Sequence, residues 1–299
     1  MFNSILIIGC GMIGSSILRG AISRKLSNKI YVFEKNIKYH NQIKRINKKI
    51  ILLKKLDKKI EHIDLVVIST PMSEYKKIIL KLNKNLGENS LITDVGSTRG
   101  NVAKLIKENL SKNLNWIMSH PISGSEASGP MYGSKDLFKN KWCIIIKSKK
   151  NNLLKNKLIK FWKKLGSNVL FMQEKEHDKI FSVTSHLPHL IAYNLIKTAQ
   201  DFQKLNRTNV IKYSAGGLRD FSRIAASNEI MWRDIFFNNR KNMSHIIDLF
   251  MKNLQNFKTD INKKRNSQLL QKLKKSKLAR RQILFLKQDV SKPDFGRKN

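Results

Sequence analysis

Cysteine is nearly absent from this sequence, since only two occur among 299 residues, Cys10 and Cys143. They lie far apart, and neither belongs to a C-x-x-C pair or to a cluster of histidines and cysteines. The chain therefore offers neither a disulfide framework nor a set of zinc ligands. Such sparing use of cysteine is typical of reducing compartments, and we expect a cytoplasmic protein.

Acidic residues are also scarce: 21 Asp and Glu stand against 59 Lys and Arg, a formal net charge of +38. So basic a chain suggests nucleic-acid binding, because phosphate contacts dominate that binding. The excess is carried by Lys rather than Arg, however, and runs through nearly every segment alongside abundant Asn and Ile. We therefore expect no specific nucleic-acid partner. We interpret the densest stretch, 252–281, as a solvated helix face, with contact to an acidic partner as the alternative.

Long uninterrupted apolar runs are missing as well. The first candidate, 5–18, is broken by Gly9, Gly11 and Gly14. It is also shorter than the roughly 20 residues that a membrane-spanning helix needs, and no basic stretch precedes it. We expect a protein without a membrane anchor. Because 41% of its residues are hydrophobic, the chain can form large cores, and its length suggests two domains.

The spacing of shorter apolar runs predicts the fold. Runs typical of buried strands occur at 5–8, 30–33, 65–69, 91–93, 116–118 and 142–146. Helical patterns separate most of them, which predicts an α/β fold with a Rossmann-type, doubly wound, mostly parallel sheet. Beyond 172 only helical patterns follow, at 175–200, 208–263 and 264–285. We predict an α/β domain over 1–172, an all-helical domain over 173–285 and a tail over 286–299.

A glycine-rich turn, G-C-G-M-I-G at 9–14, joins the first strand to the first helix. In this position Gly9 permits a tight bend, Gly11 lets the backbone approach a pyrophosphate, and Gly14 permits close helix packing. Met12 and Ile13 open the helix, whose free N–H groups face the anion. The motif alone is a weak signal, and a chance glycine turn is the alternative. Its place between a strand and a helix favours a dinucleotide site.

An acidic residue, Glu34, ends the second strand and can accept hydrogen bonds from both ribose hydroxyls. A carboxylate there repels a 2′-phosphate, so NAD is favoured over NADP, although neighbouring Lys35 moderates that preference. Ser69, Thr70 and Pro71 follow a later strand and are predicted to lie near the nicotinamide end of the cofactor. The first domain is thus predicted to bind NAD.

Two polar motifs follow strands at the same expected edge of the sheet, D-V-G-S-T-R at 94–99 and H-P-I-S-G-S-E at 120–126. Ligands of doubly wound folds bind at this edge. A lone histidine is more often structural than catalytic. Because His120 directly follows a strand and precedes a proline beside the expected hydride acceptor, we predict that it transfers protons.

The helical domain carries further polar motifs, S-H-L-P-H at 185–189, G-G-L-R-D-F-S-R at 216–223 and M-W-R-D at 231–234. Pro188 stands inside a helical pattern and predicts a kink. Arg219 and Arg223 lie four residues apart on one face and can present guanidinium groups to a carboxylate. The alternative is a set of interhelical salt bridges with Asp220 and Asp234 as partners.

Taken together and in this order, the motifs resemble those of the prephenate and arogenate dehydrogenases of tyrosine biosynthesis. The matching segments are G-C-G-M-I-G, D-V-G-S-T-R, H-P-I-S-G-S-E, H-D before S-H-L-P-H, G-G-L-R-D-F-S-R-I-A-A-S and M-W-R-D. They extend over about residues 5–240. The segments 279–281 and 293–297 resemble the bacterial cyclohexadienyl dehydrogenase branch, whose members accept both substrates.

The resemblance implies NAD-dependent oxidative decarboxylation of prephenate to 4-hydroxyphenylpyruvate and CO2. Loss of hydride from ring C4 and of the proton from its hydroxyl lets C1 expel CO2, and the ring becomes aromatic. By position in the family motifs, His120 accepts the hydroxyl proton. Ser97 orients that hydroxyl, and Arg223 binds a substrate carboxylate.

The resemblance also implies a wider substrate pocket. His189, Ser185 and Trp232 match residues that line it. Glu126 matches a residue that pairs with the substrate-binding arginine and gates access, and we add Asp220 to the substrate-binding set. A homodimer is expected through apolar helix faces such as 244–257.

Several alternatives remain open at this point. L-arogenate differs from prephenate only by an amino group in place of a keto group, and no single position decides between them. A 3-hydroxyacid dehydrogenase also joins a Rossmann domain to helices, but it uses a lysine in the helical domain. A non-catalytic nucleotide-binding protein would explain the net charge but not the combination of Ser97, His120 and Arg223.

Overall fold

The computed structural model describes residues 2–148 and 152–286 of the chain. Its strands are β1 (Ser4–Ile8), β2 (Lys29–Phe33), β3 (Ile51–Leu52), β4 (Leu65–Ile68), β5 (Leu91–Asp94), β6 (Asn115–Trp116), β7 (Ser119–Pro121), β8 (Trp142–Ile146) and β9 (Asn168–Met172). Its α-helices are α1 (Met12–Ser23), α2 (His40–Ile46), α3 (Tyr75–Asn85), α4 (Gly100–Asn109), α5 (Asn152–Lys164), α6 (Glu174–Phe181), α7 (Leu187–Asn206), α8 (Gly216–Ser222), α9 (Glu229–Asn238), α10 (Arg240–Asn262) and α11 (Asn266–Phe285). Apart from Leu286, the predicted tail lies outside the described residues.

Six strands form one sheet in the order β3-β2-β1-β4-β5-β6, and every neighbouring pair is parallel. The order reverses direction between β1 and β4, so a crevice opens at the carboxyl ends of these strands, where doubly wound folds bind ligands. Every residue of β1, β4 and β5 is buried, as expected of parallel strands covered on both faces. The predicted Rossmann-type fold is confirmed.

The sequence predicted that the 142–146 run belongs to the same mostly parallel sheet as the other strands, and this was wrong. The run forms β8, the centre of a second sheet of order β7-β8-β9, in which β7 is antiparallel and β9 parallel to β8. An apolar run indicates that a strand is buried but does not identify its neighbour in the sheet. This correction matters because β7 carries His120.

Alternate residues of β1 enter two different cores. Ile5 and Ile7 pack in the cluster that includes apolar residues of α1 and α5. Leu6 and Ile8 pack in the cluster with apolar residues of α3 and α4. Trp232 of α9 joins this second cluster, so the helical region docks directly on one face of the nucleotide-binding sheet.

The helical region is more broken than its sequence pattern predicts. The 208–263 pattern divides into α8, α9 and α10, with α9 starting where the Asn228 side chain accepts a hydrogen bond from the Met231 N–H. Pro188 stands in the first turn of α7, directly after a π-helical turn, Ser182–His186, which joins α6 to α7 without a break in the helical backbone. The π-helical turn is a local irregularity of this helix, and the kink at Pro188 stays a prediction.

None of the described helices combines the length and apolar character needed to cross a bilayer.

Candidate active site

The glycine-rich turn is held tightly against the end of β4. Gly9 has a φ of +84°, and a Cβ there would lie 2.7 Å from Thr70 Cγ2 and 2.8 Å from the Ser69 carbonyl oxygen. A Cβ on Gly14 would collide with the Gly9 carbonyl oxygen, while the Ser69 hydroxyl donates to that same oxygen at 2.6 Å. Gly11 is different, because a Cβ there would meet nothing within 4 Å. Neighbouring atoms therefore enclose the turn at Gly9 and Gly14, whereas the space beside Gly11 is open.

That open side fits the diphosphate of a dinucleotide. Helix α1 starts after Gly11, and no side chain within 2–148 or 152–286 caps its N-terminus, so the first N–H groups can meet an anion. The Thr70 hydroxyl is buried beside the turn without a hydrogen-bond partner among the described residues. A polar atom left in this way is a natural contact for a bound polar group.

Glu34, at the end of β2, is fixed by the backbone around it. Its Oε2 accepts the Cys10 N–H at 2.7 Å and its Oε1 accepts the Asn36 N–H at 2.8 Å. A carboxylate has about four lone-pair positions, so two remain for ribose hydroxyls. The carboxylate is thus held in place facing the turn, which favours recognition of an unphosphorylated ribose.

The sequence predicted that His120 follows a strand of the main sheet. It lies instead within β7, a strand of the second sheet. The preceding residue ties it to the main sheet. The Ser119 hydroxyl donates to the Asp94 carbonyl oxygen at 2.8 Å and lies 2.9 Å from the Thr93 hydroxyl. The second sheet therefore holds His120 beside the carboxyl end of β5, at the expected ligand edge.

A chain of hydrogen bonds runs from His120 into the helical region. The Nδ1 atom of His120 lies 2.8 Å from Nε2 of His177, and Nδ1 of His177 lies 2.9 Å from Oδ1 of Asp178. Asp178 also accepts the N–H groups of Arg99 at 2.7 Å and Gly100 at 2.8 Å, which open α4. His177 and Asp178 form the H-D pair that precedes S-H-L-P-H, but no role for either residue was predicted from the sequence.

Burial controls the charge of these groups. It lowers the pKa of His120 well below the usual 6.5, and nearby His177 and Arg99 add to the effect. Burial also lowers the pKa of His177, although the hydrogen bond that His177 donates to Asp178 opposes this shift. Burial raises the pKa of Asp178, but the hydrogen bonds from His177, Gly100 and Arg99 outweigh it and hold that pKa below 3.8. At neutral pH both imidazoles are therefore uncharged and the carboxyl group is ionised.

A second buried network lies under the D-V-G-S-T-R motif. Asp94 and Arg99 form a two-pronged ion pair at 3.1 and 2.8 Å, and both side chains are fully buried. Tyr75 and Trp116 each donate to the same carboxylate at 3.1 Å. This cluster shapes the loop that carries the half-buried Ser97. The Asp-x4-Arg spacing was visible in the sequence, but its burial was not.

Three of the predicted substrate residues of the helical region, Ser185, His189 and Trp232, lie in or beside the π-helical turn. His189 stacks on Trp232 with ring centroids 3.7 Å apart, and its Nδ1 bonds the Ser185 carbonyl oxygen at 2.9 Å. His186 packs edge-on against Trp232, and burial lowers the pKa of His186 to about 4. These aromatic rings form one wall at the junction of the two regions.

The ion pair expected between Glu126 and Arg223 is present, with Oε2 and Nη1 at 2.9 Å. It joins the loop after β7 to the helical region, and the Arg223 side chain is 58% exposed. In that loop the Ser125 hydroxyl contacts the Met12 sulfur at 3.2 Å, so the loop also reaches the glycine-rich turn. Asp220 lies on α8, partly buried.

Asp234 does not pair with Arg219 or Arg223, as the interhelical alternative would require. It pairs with Arg233 at 2.7 Å and accepts the Ser73 N–H at 3.0 Å. Asp234 therefore joins the helical region to the segment that follows Pro71.

Comparison with known proteins places these features in a family context. A family model described as the prephenate dehydrogenase nucleotide-binding domain matches residues 22–171, and one described as its dimerization domain matches 173–275. A cyclohexadienyl dehydrogenase of Zymomonas mobilis is 30% identical over 290 residues, 97% of this chain and 98% of that protein.

Solved structures agree. The crystal structure of prephenate dehydrogenase from A. aeolicus in complex with hydroxyphenyl propionate and NAD+ is similar, with a TM-score of 0.87 and 32% identity, over 95% of this chain and 99% of that one. An arogenate dehydrogenase from Synechocystis has a TM-score of 0.74 at 20% identity, over 93% and 99% of the two chains. At that identity the likeness concerns the fold alone.

Proposed function

The chain belongs to the prephenate dehydrogenase family, and from this membership we propose that it catalyses NAD-dependent oxidative decarboxylation of prephenate to 4-hydroxyphenylpyruvate. The observation that carries the proposal is His120, a buried and uncharged imidazole beside the carboxyl edge of β5. Family membership sets aside the 3-hydroxyacid dehydrogenase alternative.

We assign the cofactor to the crevice in front of Gly11. The free N–H groups of Met12, Ile13 and Gly14 would hold the diphosphate, and Glu34 would accept the ribose hydroxyls. Ser69, Thr70 and Pro71 would line the nicotinamide end. NAD, when bound there, supplies the hydride acceptor.

The protein's own part of the chemistry is proton removal and substrate positioning. His120 is uncharged at neutral pH, so it can accept the proton that the ring hydroxyl loses as C4 is oxidised. Ser97, in the loop after β5, would orient that hydroxyl. CO2 then leaves from C1 without further help, because aromatisation of the ring drives the step.

Substrate recognition falls to the helical region in this proposal. Arg223 would bind a substrate carboxylate, for which it must turn from Glu126 toward the ligand. Arg223 would then exchange the Glu126 carboxylate for that of the substrate, and in this way Glu126 would gate access to the pocket. Asp220 lies on α8, three residues before Arg223. Ser185, His189 and Trp232 would contact the rest of the substrate.

Dual specificity is the second candidate, because the Zymomonas mobilis relative is a cyclohexadienyl dehydrogenase. A two-by-two assay tests both, with prephenate or L-arogenate offered with NAD or NADP and NADH or NADPH followed by absorbance. Turnover of prephenate with NAD supports the main proposal, and added turnover of L-arogenate supports the second. Silence in all four reactions would contradict both and favour a non-catalytic nucleotide-binding protein.

We also propose that the chain forms a homodimer through the helical region. Met251 and Leu254 of α10 are 60% and 58% exposed in the single chain, and such apolar faces usually meet a partner. Light scattering should show a dimer that Leu254→Lys weakens. Leu153→Lys, at an equally exposed leucine of α5, is the matched control and should leave the dimer intact. A wild-type monomer would overturn this proposal.

A further inference from the structure

The hydrogen-bond chain from Asp178 to His120 determines where each proton sits. The two oxygens of Asp178 accept the Arg99 and Gly100 N–H groups at 2.7 and 2.8 Å. Donors on both oxygens favour the ionised carboxylate, which can only accept hydrogen bonds. The third contact of this carboxylate, with Nδ1 of His177, must therefore be donated by the imidazole. His177 carries its proton on Nδ1.

The next bond follows from the first. A neutral imidazole has one N–H group and one lone pair, so the Nε2 atom of His177 is an acceptor. It lies 2.8 Å from Nδ1 of His120, and the bond between them requires a proton on that nitrogen. His120, which is also neutral, is then left with its lone pair on Nε2. The reverse arrangement would need a protonated Asp178 facing two N–H donors.

We propose that His177 and Asp178 are positioning residues that hold His120 in the Nδ1–H form, with Nε2 as the atom that accepts the substrate proton. The substrate part of this inference rests on the proposed function, whereas the tautomer does not. Two backbone N–H groups at the start of α4 thus decide, through Asp178 and His177, which nitrogen of His120 is basic.

The same chain links catalysis to the docking of the two regions. His120 and the start of α4 belong to the nucleotide-binding region, whereas His177 and Asp178 lie on α6. The Asn239 side chain holds the Asp178 carbonyl oxygen at 2.8 Å. The Phe181 ring packs on both imidazoles, at 4.4 Å from His177 and 5.2 Å from His120. His120 therefore has a defined tautomer only when α6 is in place.

The tautomer is measured directly by nitrogen NMR of the wild-type protein labelled with 15N-histidine. The chain has seven histidines, and the signals of the pair are assigned by their loss in His120→Asn and His177→Gln. We expect both imidazoles to be neutral at pH 7.5 with the proton on Nδ1. A His120 that carries its proton on Nε2 would overturn the proposal.

Kinetics of two variants then test the positioning role. In His177→Gln an amide oxygen can still accept from Nδ1 of His120, whereas in His177→Leu no acceptor remains. We expect His177→Leu to lower kcat about 100-fold with little change in KM for NAD, and His177→Gln to recover most of that loss. Equal losses in both variants, or a loss confined to KM, would contradict the proposal.

Phe181→Leu is the matched control, since it changes packing on the same two rings without touching the hydrogen bonds. It should keep the Nδ1–H form of His120, and loss of that form in this variant would indicate that packing, not the hydrogen-bond chain, sets the tautomer.

The proposed function and the proposed tautomer of His120 can be contradicted independently of each other. A wild-type protein with the expected tautomer but no turnover would contradict only the proposed function, and an active protein with the opposite tautomer would contradict only this inference.

Discussion

The nucleotide-binding region and the helical region bury their side chains to very different extents. In α1, seven of 12 residues are buried, whereas α10 buries three of 23 and α11 none. The parallel sheet has apolar cores on both faces, but the exposed residues of α10 and α11 include many large apolar side chains. The first region therefore has cores of its own, whereas the exposed apolar side chains of α10 and α11 fit the homodimer proposed above.

The two regions meet through apolar packing around Trp232 and also through hydrogen bonds to two carboxylates. Asp178 accepts the N–H groups that open α4, and Asp234 accepts the Ser73 N–H just before α3. Each carboxylate comes from the helical region and meets free N–H groups at the start of a helical segment in the other region, where negative charge is favourable. These bonds are directional, so they fix how the regions are oriented as well as whether they associate.

The sharpest test of the buried core is Asp94→Asn, for which we expect the largest effect. The Arg99 guanidinium would remain fully buried without its charge partner, which costs about 3–5 kcal/mol of unfolding free energy. Urea unfolding followed by circular dichroism measures it. Asp136→Asn breaks the Arg24–Asp136 pair, which lies at the surface, and should cost less than about 1 kcal/mol. Similar losses in the two variants would contradict the importance of burial.

His120→Asn separates chemistry from cofactor binding within the nucleotide-binding region. We expect kcat to fall about 10³-fold because the proton acceptor is lost. The Kd for NAD, measured by calorimetry, should be unchanged since the glycine-rich turn is untouched. A loss of NAD affinity as large as the loss of kcat would show that His120 supports the fold instead.

Acid should weaken the junction between the regions before it weakens the sheet. Burial lowers the pKa of His186 to about 4 and depresses the pKa values of His120 and His177. The unfolded chain therefore binds more protons than the folded one below about pH 6.5, and stability falls as pH drops from there toward 4. The lowered pKa of His186 alone reduces the free energy of unfolding by about 3 kcal/mol between pH 6.5 and pH 4.

Hydrogen exchange at pH 7 and pH 5 measures this effect. We expect α6 and α7 to lose protection at pH 5 while β1 and β4 retain it. Equal protection at both values, or a loss that starts in β1, would place the acid-sensitive groups elsewhere.

The smallest effect concerns substrate binding by the helical region. In Arg223→Ala a charged hydrogen bond is lost, which we expect to raise KM for prephenate about 10–100-fold with a smaller change in kcat. Steady-state kinetics test it. Arg240→Ala, at an exposed arginine of α10, should leave KM unchanged. If the variants of His120 and Arg223 had equal, small effects, the division of roles between the regions would be wrong.

The sequence predicted those parts of the site that depend on local geometry. Gly9 and Gly14 occupy places where any side chain would collide with neighbouring atoms, and their spacing in the chain reveals that requirement. Glu34 follows its strand, as the nucleotide-binding pattern predicts. The parallel sheet followed from apolar runs, because strands covered on both faces must be apolar along their whole length.

Apart from the Glu126–Arg223 pair, which the family resemblance implied, only the tertiary structure shows which distant residues meet. His120 and His177 are 57 positions apart, and neither sequence neighbourhood indicates the other. The sequence also did not predict the second sheet around β8, the division of the 208–263 segment into three helices or the hydrogen bonds from the start of α4 to Asp178. Periodicity and turn composition report the burial and backbone conformation of a residue, which are local. The proton positions of His120 depend instead on partners that only the docking of α6 against the nucleotide-binding region brings within hydrogen-bond distance.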